Sequence, residues 1–119
     1  MHKFKELEIW KRSRLFCLEI YKITSQFPES EKFGLTNQLR RASVSIPSNI
    51  AEGSSRSSNK DFERFLQITL GSAYEIETQL LIAYDLKFID NEELEILSQN
   101  LESIIKMTSK FKSTLNKSK

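Results

Sequence analysis

The sequence predicts an all-α protein, folded as an antiparallel up-down-up-down bundle of four helices. The 119 residues include only three glycines and two prolines, whereas an all-β fold needs a turn about every eight to twelve residues. Apolar residues recur at alternating steps of three and four along four segments, which places them on one face of a helix. We therefore expect a single domain over residues 1–119, with helices over about residues 5–26, 29–53, 59–87 and 91–115.

The first helix is predicted from an apolar stripe that ends at a proline. The stripe contains Leu7, Trp10, Cys17, Ile20, Thr24 and Phe27, reinforced by Ile9, Phe16 and Ile23. Pro28 pushes the residue before it out of the helical region and can itself open a helix at its first turn. We therefore expect the second helix to begin at about residue 29.

The second helix contains a proline within its apolar stripe. The stripe is formed by Leu35, Leu39, Ala42, Ile46, either Asn49 or Ile50, and Gly53. Pro47 removes one backbone hydrogen bond, which costs about 3 kcal/mol or more in a helix interior. Because the apolar period continues in phase beyond Pro47, the pattern predicts a continuous helix that is kinked there. The carbonyl near Ser43 then needs another donor, a role that Asn49 or Ser48 can fill.

The third and fourth helices have the most regular stripes and polar residues suited to cap them. Ser58 or Asn59 is expected to cap the third helix, and Asp90 or Asn91 the fourth. The two stripes are Phe62, Leu66, Thr69, Ala73, Ile76, Leu80 and Ala83, and Leu94, Leu97, Leu101, Ile104, Thr108, Phe111 and Leu115. The third helix is expected to be the most buried, because a second apolar row widens its face with Phe65, Ile68, Leu81 and Ile82.

Two further residues have predicted packing roles. Gly71 lies in the middle of the third helix beside Ser72, where glycine costs about 1 kcal/mol in helix propensity. We expect Gly71 to permit a close approach of the second and third helices near Pro47. Trp10 is expected to pack within the bundle or at a subunit contact rather than to stack on a nucleic-acid base.

The net charge of +2 conceals an uneven distribution. Residues 1–74 carry twelve basic and eight acidic side chains, whereas residues 75–102 carry eight acidic side chains and one lysine. The tail over residues 103–119 has five lysines and no acidic residue. A basic segment, an acidic helical hairpin and a basic tail follow one another, and solvated helix faces with local ion pairs explain such runs most simply.

The residues needed for common enzymatic chemistry are missing or misplaced. His2 is the sole histidine and lies at the chain terminus, which excludes a Ser-His-Asp arrangement and the Glu-x-x-His pairs of di-iron bundles. Cys17 lies on an apolar stripe, as a packed thiol does. No glycine-rich phosphate loop occurs, and the paired acids are more typical of solvated faces than of a metal site. We predict that the protein is not an enzyme and uses no cofactor or metal.

The chain also lacks membrane signals. No apolar run approaches the roughly 18 residues of a membrane span, and the first residues become charged at once instead of forming a signal peptide. A cytoplasmic protein without membrane contact is therefore expected.

The stretch over residues 38–53 carries the most specific pattern in the chain. It contains Gln-Leu-Arg-Arg-Ala followed by Ser-Ile-Pro-Ser-Asn-Ile-Ala-Glu-Gly. With Leu7 and Trp10, the Phe27-Pro28 pair and Gly71-Ser72, it resembles the bacterial four-helix bundle proteins encoded in intervening sequences of 23S ribosomal RNA genes. The same superfamily includes the accessory variability determinant protein of diversity-generating retroelements.

The resemblance implies a four-helix bundle that assembles into a homopentamer. Retroelement members are basic and bind nucleic acid and a reverse transcriptase, whereas members from ribosomal intervening sequences have no established activity. The matched motif assigns structural roles to Arg40, Arg41, Ser45, Pro47, Asn49, Glu52, Gly53, Gly71, Ser72 and Glu75. One of the two adjacent arginines is expected to reach Glu75 or Glu52, and the other to face a partner.

Two functions fit these observations. The first is a non-enzymatic oligomeric bundle with an interaction or scaffold role. The alternative is an RNA- or DNA-binding accessory protein associated with ribosomal RNA intervening sequences or with a reverse transcriptase, in which a modest basic patch is repeated five times. The candidate nucleic-acid-binding residues are Lys11, Arg12, Arg14, Arg40, Arg41, Arg56 and Lys60.

Overall fold

The computed structural model describes residues 2–117, and these residues form helices and connections without strands. Four long helices follow one another along the chain: α1 (Glu8–Thr24), α2 (Leu35–Ser54), α3 (Asn59–Asp85) and α4 (Asn91–Lys117). Short 3-10 turns over Phe4–Glu6 and Glu29–Glu31 precede α1 and α2. The predicted all-α class is confirmed. Within the described residues no helix is long and apolar enough to cross a membrane.

Each helix contacts two others, in the cyclic order α1, α2, α3, α4. Cys17 contacts Ser43, whereas Thr24, further along α1, contacts Arg40, which comes earlier in α2. The same reversal of order relates the other neighbouring helices. Helices α2 and α3 meet at Ser45–Ser72 and Gln38–Gln79, and α3 and α4 meet at Asn59–Leu115 and Phe62–Phe111. The segment of α1 and the residues after it meets α4 at Glu19–Asn100 and Gln26–Glu93. The helices therefore alternate in direction, and the bundle extends 47 Å along its axis.

The connection between α1 and α2 is longer than the sequence suggests. Residues Glu29–Glu31 after Pro28 form a 3-10 turn, and α2 begins only at Leu35. Gly34 has a non-helical backbone (φ −108°, ψ −116°), and the Leu35 amide donates to the Glu31 carboxylate at 3.0 Å. The predicted start of the second helix at residue 29 is therefore wrong, because this acidic side chain caps a helix that starts six residues later.

Helix α2 continues without interruption through Pro47. The Asn49 amide donates to the backbone carbonyl and to the hydroxyl of Ser45, at 2.8 and 2.9 Å. The side chain thus serves the turn next to Pro47, at Ser45 rather than at the predicted carbonyl near Ser43. The continuity of the helix is as predicted, and the kink stays a prediction.

The core follows the predicted stripes closely on α2 and α3. On α2 the stripe is buried, with Ile50 rather than Asn49 as its fifth residue, and all seven stripe residues of α3 are buried. The second row on α3 behaves differently, since Ile68, Leu81 and Ile82 are 51%, 49% and 42% exposed. Helix α3 contacts only α2 and α4, so its remaining sides face solvent. The second row therefore does not widen the buried face, and the prediction that the third helix is the most buried is wrong, because α2 buries nine of its 20 residues and α3 nine of its 27.

On α1 the buried face is displaced from the predicted main stripe. The fully buried positions of this helix are Ile9, Ser13, Phe16, Ile20 and Thr24. Trp10 and Cys17 are only half-buried at the edge of that face. Trp10 packs edge-on against Phe4, with ring centroids 5.2 Å apart, and thus serves packing within the chain as expected.

The predicted caps of α3 and α4 are confirmed. The Ser58 hydroxyl accepts a hydrogen bond from the Asp61 amide at 3.1 Å. Asp90 and Glu93 form a reciprocal capping box, in which each backbone amide donates to the other carboxylate, at 2.9 and 2.8 Å. These bonds satisfy amides that a helix start leaves without partners.

Thr69 offers a test of the core. Its hydroxyl is fully buried and has no hydrogen-bond partner among residues 2–117. Removing such a group while keeping its shape recovers a desolvation cost of about 1–3 kcal/mol. We expect Thr69→Val to raise the free energy of unfolding by about 1 kcal/mol, measured by urea denaturation.

Thr24→Val is the matched control. The Thr24 hydroxyl donates to the Ile20 carbonyl at 2.7 Å and accepts from Arg40 Nε at 2.8 Å. This substitution should lower the free energy of unfolding by about 1–3 kcal/mol. Equal destabilisation by both substitutions would contradict the assignment of an unsatisfied hydroxyl at Thr69.

Candidate interaction site between α2 and α3

Helices α2 and α3 approach each other closely at Gly53. A Cβ atom at this position would lie 2.7 Å from Phe65 Cβ and 2.8 Å from Phe62 Cδ1. Phe62 is buried, so it cannot move aside readily. Gly53 is therefore required by packing. Gly71 differs, because it is exposed and a Cβ there would have no atom of the chain within 4 Å.

The predicted role of Gly71 in a close approach of α2 and α3 is therefore wrong. The neighbouring residue makes the contact instead, since the hydroxyls of Ser72 and Ser45 are hydrogen-bonded at 2.9 Å. Asn49 donates to the same Ser45 hydroxyl. The motif residues Ser45, Asn49 and Ser72 thus form one polar contact that joins the two helices.

A cleft of 370 Å³ opens beside this contact. It is lined by Asn37, Gln38, Arg41, Ala42, Ser45, Ser72 and Glu75. Arg41 and Glu75 are exposed, and neither forms an ion pair within the described residues. The cleft therefore presents a free positive and a free negative group on either side of a pair of hydroxyls.

Three residues that line the cleft, Asn37, Gln38 and Ala42, were not among the site residues predicted from the sequence. Asn37 precedes Arg41 by four residues, and Ser45 follows it by four. Such spacing places them on one helix face, a signal that could have identified Asn37. Gln38 receives a hydrogen bond at 3.3 Å from Gln79, a buried residue on α3. Only the pairing of the two helices identifies that contact.

Arg40 and Arg41 have different roles. Arg40 is half-buried and donates from Nε to the Thr24 hydroxyl and from Nη2 to the Tyr21 carbonyl, at 2.8 and 3.3 Å. Its guanidinium carbon lies 4.7 Å from the centroid of the Tyr21 ring. A cation at the carboxyl end of α1 is also favoured by the helix dipole. Arg40 therefore fixes α2 to α1, and Arg41 is the arginine that faces outward.

Neither arginine reaches the glutamates expected for it. Glu52 pairs with Arg56 at 3.1 Å, and the Arg56 guanidinium carbon lies 4.8 Å from the Phe65 ring centroid. Arg56 thus joins the end of α2 to α3. The expected ion pair between Arg40 or Arg41 and Glu75 or Glu52 is therefore wrong.

The exposed side of α3 beside the cleft forms a continuous surface, which we call the α3 face. It consists of Ile68, Gly71, Glu75 and Ile82, which lie on one side of the helix at steps of three, four and seven residues. Both isoleucines are more than 40% exposed. Val44 on α2 is 42% exposed. Apolar and charged groups thus lie side by side on this surface.

The candidate nucleic-acid-binding residues lie in different surroundings. Arg40 is engaged with α1, Arg41 lines the cleft, and Arg56 lies over Phe65. Arg14 lies over the Trp10 ring at 5.3 Å. The remaining three, which are exposed, are Lys11, Arg12 and Lys60.

Other reactive groups show no arrangement typical of catalysis. Burial raises the pKa of the Cys17 thiol, and its hydrogen bond to Ser43 offsets part of that effect. A raised pKa lowers the thiolate fraction and therefore the nucleophilicity. Among residues 2–117, no three His, Cys, Asp or Glu side chains are grouped to hold a metal ion.

Comparison with known proteins identifies the family. A model of the 23S rRNA-intervening sequence protein matches residues 5–110. The chain belongs to this family. This match confirms the resemblance drawn from the Ser-Ile-Pro-Ser-Asn run. A comparison with curated proteins gives no match.

One solved structure resembles this member of the 23S rRNA-intervening sequence protein family over most of the chain. It is a protein with unknown function from the S23 ribosomal protein family of Bacteroides thetaiotaomicron, and the sequences are 27% identical. The match covers 87% of this chain and 97% of that one, with a TM-score of 0.79. The family relationship thus establishes the fold but does not establish an activity.

The packing at Gly53 predicts the effect of adding a methyl group. Gly53→Ala should lower the free energy of unfolding by about 1–3 kcal/mol, because the new Cβ overlaps Phe65 and Phe62. Thermal denaturation followed by circular dichroism measures the change. Ser48→Ala, at an exposed position of the same helix, is the control and should have little effect. An unchanged Gly53→Ala variant would contradict the close approach.

The two arginines provide a second test. Arg40→Gln should lower the free energy of unfolding by about 1–2 kcal/mol, because the Thr24 and Tyr21 acceptors lose a charged donor. Arg41→Gln should change it by less than about 0.5 kcal/mol, as surface substitutions do. The same denaturation measurement applied to both variants would refute the assignment if Arg41→Gln proved the more damaging.

Proposed function

We propose that the protein is a non-enzymatic interaction protein that assembles with copies of itself, as a homopentamer, through the α3 face and the adjoining cleft. The observation that carries the proposal is the exposed glycine in the middle of α3. The resemblance to pentameric bundles supports the stoichiometry. The nucleic acid and reverse transcriptase that the same resemblance implies are not needed for this assembly.

Gly71 has no explanation within one copy of the chain. A glycine in a helix interior costs about 1 kcal/mol relative to alanine. Around Gly71 there is open space, and the backbone needs no special conformation, since no glycine has a positive φ. A missing side chain is useful on a surface where another backbone approaches closely. That approach must come from a second molecule.

The surroundings of Gly71 suit a protein surface. Ile68 and Ile82 expose apolar area on the same side of α3, which is removed from water when a partner covers it. Arg41 and Glu75 offer charges of both signs that form no ion pair with the other described residues. A surface of mixed charge and apolar groups is typical of protein contacts, whereas a nucleic-acid contact is predominantly positive.

A closed ring of five copies requires two different surfaces on each copy. The outer side of α1 supplies a second one, because Leu15 and Leu18 are 59% and 64% exposed. They lie between Lys11 and Lys22, which could pair with Glu75 of a neighbouring copy. Helices α1 and α3 both pack against α2. We therefore assign the outer side of α1 of one copy to the α3 face of the next.

Size-exclusion chromatography with light scattering tests the assembly. The wild-type chain should have the mass of five copies at tens of micromolar protein. Gly71→Leu and Leu18→Glu should each yield smaller species, because each blocks one of the two surfaces. Leu81→Glu is the matched control, since Leu81 is a similarly exposed residue on another side of α3, and it should stay pentameric. A monomeric wild-type chain would refute the proposal.

Mixing the two defective variants tests the pairing of surfaces. Leu18→Glu retains an intact α3 face, and Gly71→Leu retains an intact α1 surface. The mixture should form a complex of one copy of each variant that cannot grow further. If the contact instead joined the same surface of both copies, mixing would restore nothing, and the assignment of α1 to the α3 face would be wrong.

A further inference from the structure

Three segments that are far apart in sequence meet at one end of the bundle. The His2 amide donates to the Ser54 carbonyl at 3.2 Å, so the start of the chain lies against the end of α2. Phe62 and Phe111 pack with ring centroids 5.5 Å apart, which joins the start of α3 to the end of α4. The His2 ring contacts both phenylalanines, at 5.1 and 5.7 Å.

This end, defined as residues 2–12, 52–64 and 106–116, is strongly basic. It carries ten Lys and Arg residues and five Asp and Glu residues, a net charge of +5. At the opposite end the contact of Phe27 with Phe88 joins the other two connections. That end, defined as residues 19–34 and 77–95, carries three basic and nine acidic residues, a net charge of −6. Opposite charges are thus separated along a bundle 47 Å long.

Most cations of the basic end lack an internal ion pair. Within the part of the chain that the structure describes, Arg56, Arg64 and Lys106 pair with carboxylates. The others have no carboxylate within ion-pair distance, namely Lys3, Lys5, Lys11, Arg12, Lys60, Lys110 and Lys112. These free charges come from the first residues, α1, α3 and α4, and surround one end.

The apolar side chains of the basic end are buried or half-buried. All large hydrophobic residues that the described surface exposes lie outside its three segments. Its aromatic rings pack on one another, as in the contact of Phe4 with Trp10 and of Phe62 with Phe111, so no ring stands free as a platform for a base. The accessible apolar area lies in one cleft, lined by Leu7, Ile9, Met107 and Phe111, and the surface around this cleft is charged and polar.

We infer that the basic end binds the phosphate backbone of a nucleic-acid duplex, independently of sequence. Free lysine and arginine charges neutralise phosphates and release counterions, which is sufficient for such binding. The acidic end is repelled by the same backbone, so the bundle contacts the duplex with its basic end and its acidic end points away. This inference goes beyond self-assembly and does not require it, although a pentamer would present the end five times.

The surface differs from the set that the sequence suggested. Arg14, Arg40 and Arg41 lie outside its segments. Residues that join it are Lys3, Lys5, Arg64, Lys106, Lys110 and Lys112. The lysines of α4 belong to the basic tail that follows the acidic hairpin in sequence, and only the reversal of α4 brings them to the start of the chain.

Binding of a labelled short RNA duplex, followed by fluorescence anisotropy between about 50 and 200 mM salt, tests the inference. For the wild-type chain, the logarithm of the binding constant should fall linearly with the logarithm of the salt concentration. The double variant Lys60→Glu, Lys110→Glu should bind at least about tenfold more weakly, and its salt slope should be smaller by about two. A DNA duplex of the same sequence should behave similarly.

The matched control is the double variant Lys22→Glu, Lys87→Glu at the acidic end. It changes the net charge by the same amount, but charges so distant are screened at physiological salt, where the Debye length is about 8 Å. Its affinity should stay within about twofold of the wild type. An equal loss in both double variants would show that total charge alone matters and would overturn the inference.

Two further comparisons separate the basic end from other partners and from the assembly. Polyglutamate and phosphatidylserine vesicles should bind more weakly than the duplex, and equal binding would overturn the assignment to nucleic acid. Gly71→Leu should still bind the duplex with a smaller salt slope. Duplex binding by a chain that never forms pentamers refutes only the assembly, whereas pentamers that bind no duplex refute only the present inference.

Discussion

The contact between α2 and α3 is the constraint on which the remaining structure depends. At one end, Gly53 lets the two backbones approach until only a hydrogen atom fits against Phe62 and Phe65. Further along, the hydroxyls of Ser45 and Ser72 meet at 2.9 Å. Because both contacts use small side chains, larger ones would separate the helices. The cleft that contains Arg41 exists because this hydroxyl pair sets the distance between its walls.

The family motif therefore serves two purposes within one helix. Its inward residues, among them Gly53 and Ser45, set the packing of α2 on α3. Arg40 continues that structural role toward α1, where it bonds to the end of the preceding helix. Arg41 lies about 100° further round the helix and is left to the surface. Helix geometry alone thus places one of two adjacent identical residues in the packing and the other on the exposed surface.

The charge distribution links the fold to its surfaces in a similar way. Along the sequence the basic and acidic stretches alternate, and the total nearly cancels. Antiparallel packing places the start of the chain, the α2–α3 connection and the end of α4 together, so that the basic stretches coincide. Their repulsion is tolerated because the side chains are exposed and solvated. The resulting polarity belongs to the bundle rather than to any single helix.

The sequence by itself determined the presence of four helices, the caps of α3 and α4 and most of the core, because these depend on the local period of apolar residues and on short-range capping bonds. It could not determine which positions next to a stripe are covered. Ile68 and Ile82 match an apolar row, yet they face solvent because no third helix packs against α3. Gly53 and Gly71 both lie within predicted helices, and the sequence assigned the close approach of α2 and α3 to Gly71. Only the tertiary structure, which fixes the neighbour of each helix face, made one a packing requirement and the other a surface feature.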